Sequence, residues 1–243
     1  KQVILALANH PSFVMLTFGN ELAAGSVGHA RMDSMLALAH ELDSTRLYAN
    51  SSNAHYGDVG VDMESDFFAA QKYYHHDLRG THAGGGGDGA LQGYINNRYP
   101  DAAQDYDESM AEIRKVYSRP VFSFEVGQFE VLPDFRELEA FQGISDPANL
   151  RLVQERVKAA GISDEEWEKQ VEATGEISRL AYREEIEAAM RTKELSGISL
   201  LGLQDFPGQG TALVGMLNSH LEPKPYSFAE PAGFQAFFRE QLP

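Results

Sequence analysis

Cysteine is absent from this sequence. That excludes disulfides, thiolate metal ligands and a thiol nucleophile, and it leaves the redox compartment open, because a chain without thiols suits either side of a membrane. Basic residues are scarce: 20 Lys and Arg stand against 36 Asp and Glu, for a formal net charge of −16. With no basic run to offset that excess, neither a nucleic-acid backbone nor an anionic membrane surface is expected as a partner. No apolar run approaches the roughly 18 residues of a spanning helix. The G-x-S-x-G turn of serine hydrolases is missing, and Ser123 falls inside a predicted strand rather than on a sharp turn. Tryptophan occurs once, at Trp167 in an acidic helical stretch, where it reads as a packing residue.

What is present suffices for one cored domain. The 243 residues are 43% hydrophobic, and a barrel reaches this length as a single unit. Residues 1–9 read as the end of an apolar helix, followed by a turn at His10-Pro11-Ser12 and a strand over 13–18. A helical pattern over 29–42 places Met32, Met35, Leu36, Leu38, Ala39 and Leu42 on its apolar face. A short strand over 46–52 ends in polar residues, and 62–70 holds a further short strand. Residues 71–107 read mostly as loop. A helix near 107–117 leads to a strand opened by Pro120 and running through Val121-Phe122-Ser123-Phe124 to Glu125. Two helices follow, one with Asp146 as N-cap and Pro147 at the first helical position. The other opens on a Ser163/Glu166 capping box and runs to about 192. A last strand begins at Gly197 and ends before Pro207. Helices alternating with strands in this way predict an α/β fold with parallel strands and helical crossovers. No internal repeat and no second domain are visible.

If such a sheet curves into a barrel, every strand's carboxyl end lies on one face. Two carboxylates stand at strand ends: Glu21, after the apolar run 13–18 and Gly19-Asn20, and Glu125, before Val126-Gly127. A pair of carboxylates at one mouth suits glycoside hydrolysis, one protonating the leaving oxygen and the other attacking the anomeric carbon or activating water. Different surroundings keep the acid protonated and the nucleophile ionised. On pattern alone, two unrelated surface glutamates are the competing reading.

The segment HPSFVMLTFGNE resembles the strand-four signature of glycoside hydrolase family 2, and RPVFSFEVGQ is similar to that family's strand-seven segment. LLGLQDFPGQGTALVGMLN resembles its strand eight and the loop beyond. The resemblance covers nearly the whole chain. It implies a partial (β/α)8 TIM barrel, strands four to eight, over residues 1–243. It also implies a retaining exo-β-glycosidase of the β-galactosidase/β-glucuronidase kind that needs no cofactor. Glu21 becomes the general acid/base, Glu125 the nucleophile, and Asn20 a hydrogen-bond partner of the sugar's 2-hydroxyl. A retaining mechanism asks for carboxyl groups about 5–5.5 Å apart. The implied numbering puts strands one to three and the accessory β domains upstream, so the chain is expected to be an incomplete catalytic domain whose partner is the missing half of its own barrel. Its open sheet edges would favour aggregation, self-association is left open, and turnover by the piece alone is not expected. The substrate class suggests a periplasmic or extracellular setting. Val126 stands where many members carry an aromatic residue, and Gln204-Asp205-Phe206 where many carry a sugar-stacking Trp, so the sugar is not specified. A carbohydrate-binding or scaffolding remnant without catalysis is the alternative.

Other residues have two readings each. Asn50 and Asn53, ending the second strand, could contact hydroxyls or serve turn chemistry. Arg79 could meet an acidic sugar or form a surface ion pair. Gln128, Gln204 and Asp205 could contact substrate or cap loops. Glu130 competes with Glu125 but falls past Gly127, in the loop. His10 precedes the first strand and suits a structural hydrogen bond. The four glycines at 84–87 read as a surface loop, since they lack the Lys-Ser/Thr of a phosphate-binding loop. His75, His76, Asp77, His82 and Asp88 carry no H-E-x-x-H spacing, and no metal site is expected there.

Overall fold

The computed structural model describes residues 1–22, 25–53, 61–80, 99–209, 213–225 and 230–239. In chain order the elements are α1 (Gln2–Leu7), β1 (Met15–Thr17), α2 (Ser26–Leu42), β2 (Leu47–Ala49), β3 (Phe68–Ala70), β4 (Lys72–Tyr73), β5 (His76–Asp77), α3 (Asp107–Arg114), β6 (Val121–Val126), α4 (Ala148–Ala159), α5 (Asp164–Arg191), β7 (Gly197–Leu200) and α6 (Pro231–Gln235). The chain divides into two compact units, one made of Lys1–His82, Gln104–Phe124 and Ala189–Ser199, the other of Ala83–Ala103, Glu125–Ala188 and Leu200–Pro243.

In the first unit β1 pairs with β2 in parallel, Met15 opposite Leu47 and Thr17 opposite Ala49. A parallel bridge between Asn20 and Ser52 extends the pairing past both strands. Beyond β2 the Asp66 N–H donates to the Tyr48 carbonyl at 2.8 Å and the Asn53 N–H to the Ala69 carbonyl at 2.7 Å. Those bonds bring β3 alongside β2. Strand β3 pairs in parallel with β6, Phe68 opposite Val121 and Ala70 opposite Ser123. Between β6 and β7 the Ser196 N–H reaches the Val121 carbonyl and the Leu201 N–H the Val126 carbonyl. Donor and acceptor advance together by the same step, so these strands also run parallel.

Parallel neighbours need crossovers. Here α2 joins β1 to β2, α3 lies between β3 and β6, and α4 and α5 lie between β6 and β7. The architecture is mixed α/β with parallel strands, compatible with part of a barrel. The described residues form small sheets of two and three strands rather than a closed one.

Helix α2 buries a narrower stripe than its pattern suggests, whereas the last turns of α5 are buried on nearly every side. On α2, Met32, Leu36 and Ala39 are buried at the i, i+4, i+7 spacing, whereas Met35 and Leu38 stay 47% and 41% exposed. Those two line an open apolar groove beside Leu16 and Phe18, where β1 has a ladder partner on one side only among the described residues. On α5, Trp167, Val171, Ser178, Tyr182, Glu185 and Ala189 are buried, and Asp164, Glu165, Glu166 and Glu172 remain exposed. Trp167 packs: its indole N–H donates to the Pro133 carbonyl at 2.9 Å and its ring stacks on Phe135, 5.0 Å between centroids. No helix among the described residues is long and apolar enough to cross a membrane.

Several boundaries move. Helix α4 starts at Ala148 with Pro147 as its N-cap, one residue later than the expected Asp146 cap, because Asp146 instead lends its carbonyl to the Ala148 N–H and its carboxylate to Arg151. Ser163 caps α5 as expected, its Oγ accepting from the Glu166 N–H at 3.2 Å. Residues 72–77 form a small antiparallel hairpin, β4 with β5, where loop was expected. The last strand stops at Leu200, and Gln204 makes only an isolated bridge with Leu217. The glycine run at 84–87, with His82 and Asp88, lies outside the described residues.

Candidate active site

In the first unit the end of β1 is tied to the end of β2 residue by residue. The Ser52 N–H donates to the Gly19 carbonyl and the Glu21 N–H to the Ser52 carbonyl, both at 3.0 Å. The Ser52 hydroxyl donates to Asn20 Oδ1 at 2.8 Å, and Asn53 Nδ2 donates to Glu21 Oε1 at 2.7 Å. Asn53 is 1% exposed. Its Oδ1 lies 3.5 Å from the Gln71 N–H, so a single amide links the tips of β1, β2 and β3. Glu21 and Asn20 themselves are exposed.

The backbone at these tips is left-handed. Glu21 has φ +49°, Asn53 φ +54° and, in the second unit, Glu125 φ +57°. Asn tolerates this region, but for Glu it costs about 1–2 kcal/mol. Strain of this kind persists where surrounding bonds over-determine the conformation, as they do around Glu21, and it concentrates at functional sites.

In the second unit Glu125 is half-buried near the end of β6. Beyond it Gly127 turns at φ +90° and donates its N–H to Glu185 Oε2 at 2.7 Å. A Cβ at Gly127 would lie 2.2 Å from the Tyr182 ring, so only glycine fits. The Tyr182 hydroxyl donates to the Val214 carbonyl at 2.7 Å, and burial pushes its pKa up, with help from the Glu185 and Asp205 charges.

The remaining sequence candidates take varied places. Asn50 is buried with its Nδ2 on Asp33 Oδ1 of α2 at 3.1 Å and on Asp62 Oδ2 at 2.5 Å, fastening β2 to its helix. Arg79 is 2% exposed, just past the β4–β5 hairpin, so it is not a surface cation. Burial pushes the Asp77 carboxyl up there, against the pull of Lys72, Arg79 and His76. Gln128 is half-buried and Gln204 exposed. The rings of His75 and His76 are tilted, 4.2 Å apart, and no group of three or more potential ligands gathers for a metal among the described residues.

Asp205 sits inside. It pairs with Lys224 at 2.8 Å, both side chains 4% exposed, and its Oδ1 accepts from the Gly215 N–H at 2.8 Å. Lys224 Nζ also reaches the Leu213 carbonyl at 3.3 Å. Burial pushes the Asp205 carboxyl up and the Lys224 ammonium down, each partly offset by the other. The arrangement clamps the 213–217 segment; a Cβ on Gly215 would meet the backbone of Gln204 at 2.4 Å.

Glu137 lies beside this pair. Burial, then the Asp205 charge, drives its pKa up to about 7, against the pull of Lys224; Asp134 adds to the rise and the Ser219 N–H opposes it. A carboxyl raised in the folded state holds a proton that the unfolded chain has lost. This group's contribution to stability therefore falls as pH climbs from about 4.5 to about 7. We expect Glu137→Gln to melt higher than the parent at pH 8 and the gap to close by about pH 5, as read by thermal denaturation across pH. A gap independent of pH would contradict the assignment.

Sequence reasoning missed Glu185, Tyr182, Lys224 and Glu137. The available signal was the position of Glu185 beside Tyr182, Ile186 and Ala189, at spacings that put a carboxylate on the buried stripe of α5.

No family model and no curated protein matches the chain. Solved structures do. The chain has the fold of part of two glycosidases. One is the GH2 β-galacturonidase from Eisenbergiella tayi bound to galacturonate, with a TM-score of 0.52 and 14% identity over 96% of this chain and 34% of that one. The other is the Parabacteroides merdae β-glucuronidase, with a TM-score of 0.50 and 17% identity over 96% of this chain and 24% of that one. The chain thus spans well under half the length of either, and at these identities the likeness is one of fold, glycoside-hydrolase-like.

Proposed function

We propose that the chain is part of the (β/α)8 catalytic domain of a retaining exo-β-glycosidase of family 2, acting on terminal sugars by double displacement, with further strands supplied by other sequence. The observation that carries this reading is the pair of glutamates at carboxyl ends of parallel strands, each on a left-handed backbone. Glu21 acts as acid toward the glycosidic oxygen and then as base toward water, and Glu125 forms the covalent glycosyl-enzyme. Asn53 holds the Glu21 carboxylate by one oxygen and leaves the other for proton transfer. Asn20, anchored through Oδ1 to Ser52, presents its NH2 to the sugar's 2-hydroxyl. Asp205 serves by fixing the loop after the last strand. Terminal uronides are the first substrates to test, since the two solved structures bear galacturonidase and glucuronidase names.

The test is turnover of a panel of aryl β-glycosides by the full-length polypeptide. Glu21→Ala should slow substrates with poor leaving groups by roughly 10²–10⁴-fold while sparing those with activated aryl leaving groups, and it should flatten the alkaline limb of the pH profile. Equal losses on both substrate types would remove Glu21 from the acid role.

A further inference from the structure

We infer that Glu185 is a positioning residue that sets the orientation of Glu125; the inference rests on the reading of Glu125 as nucleophile. The peptide unit joining Val126 to Gly127 is held at both of its polar ends. Its carbonyl accepts from the Leu201 N–H at 3.0 Å, and its N–H donates to Glu185 Oε2 at 2.7 Å. The plane of this peptide is thereby fixed one residue beyond Glu125. On its other side the Tyr182 ring occupies the space where a side chain on Gly127 would stand, and Tyr182 is itself anchored to the Val214 carbonyl.

Such bracing has a purpose at this position. Glu125 stands at φ +57° and Gly127 at φ +90°, so the strand end departs from extended geometry twice within three residues. An unbraced glutamate in the left-handed region relaxes toward the β region, and that rotation would swing its carboxylate away from the line of attack. A misplacement of about 1 Å costs roughly 10²-fold in rate. Glu185 is 1% exposed, and burying a carboxylate is unfavourable unless strong hydrogen bonds compensate. A charge-assisted bond from a backbone N–H supplies one. Helix α5 therefore carries a carboxylate on its buried stripe where packing alone would favour an apolar side chain.

The experiment compares Glu185→Leu and Glu185→Gln with the parent, in the full-length polypeptide, on whichever aryl β-glycoside the parent turns over. Leucine keeps the bulk and removes the acceptor, whereas glutamine keeps an acceptor oxygen. The expected result is a kcat loss of roughly 10–100-fold for Glu185→Leu, with KM within about threefold. Glu185→Gln should recover the rate to within about fivefold of the parent. A kcat for Glu185→Leu equal to the parent's would overturn the inference, as would a Glu185→Gln variant slower than that fivefold bound. If Glu185→Leu does not fold, Glu185→Gln decides by the same bound. Azide rescue of Glu125→Gly reads the nucleophile separately. Its failure removes the reading of Glu125 and this role with it; rescue together with an unaffected Glu185→Leu removes the positioning role alone.

Discussion

Replacing Glu125 by glycine is expected to lower turnover by at least about 10⁴-fold, and added azide to restore a large part of it. Removing the carboxylate leaves a hollow beside the anomeric carbon, and a small anion entering it attacks directly. That attack is one displacement instead of two, so a β-glycoside gives an α-glycosyl azide, identifiable by NMR. Glu130 is the control. Burial and the Asp205 charge push its carboxyl up, the wrong direction for a group that must stay ionised to attack. Glu130→Gln should stay within about fivefold of the parent. If instead Glu130→Gly is the variant that azide rescues, the nucleophile has been misassigned by one turn of loop.

Lys224→Ala carries the largest expected effect on stability. The ammonium and the Asp205 carboxylate are both almost wholly buried, 2.8 Å apart, and truncating one leaves the other charged in a low-dielectric interior. Such breakage costs about 3–5 kcal/mol, a fall in Tm on the order of 10 °C for a chain of this size. The double variant Asp205→Ala/Lys224→Ala should recover part of the loss, because no lone charge is then left buried. A double variant as unstable as the sum of the singles would show that the two residues act independently.

The elements around both glutamates were legible because their determinants are local. An apolar run entering Gly-Asn-Glu, and another entering Glu-Val-Gly, each end a strand, and alternation with helices fixes parallel pairing. The left-handed backbone at Glu21 and Glu125 was not legible, because the bonds around it come from partners far along the chain: Ser52 and Asn53 at Glu21, Leu201 and Glu185 at the peptide unit just beyond Glu125. Asn50 illustrates the same limit from the other side. Its amide suits a sugar hydroxyl as well as it suits Asp33, and only the packing of α2 on β2 shows which neighbour it has. Lys224 stands in a proline-flanked, polar tail that reads as surface; its burial follows from Asp205, whose own position shows no sign of it. The hairpin of β4 and β5 escaped because two-residue strands are too short to display an alternating pattern.

Asn53 has one more implication. Its side-chain amide bonds Glu21 on one side and faces the Gln71 N–H on the other, adding a side-chain link to the backbone bonds that already join three neighbouring ribbons where they finish. Glu21 is therefore tied, through that amide, to the ends of its two neighbours, and a substitution at Asn53 would be felt at all three.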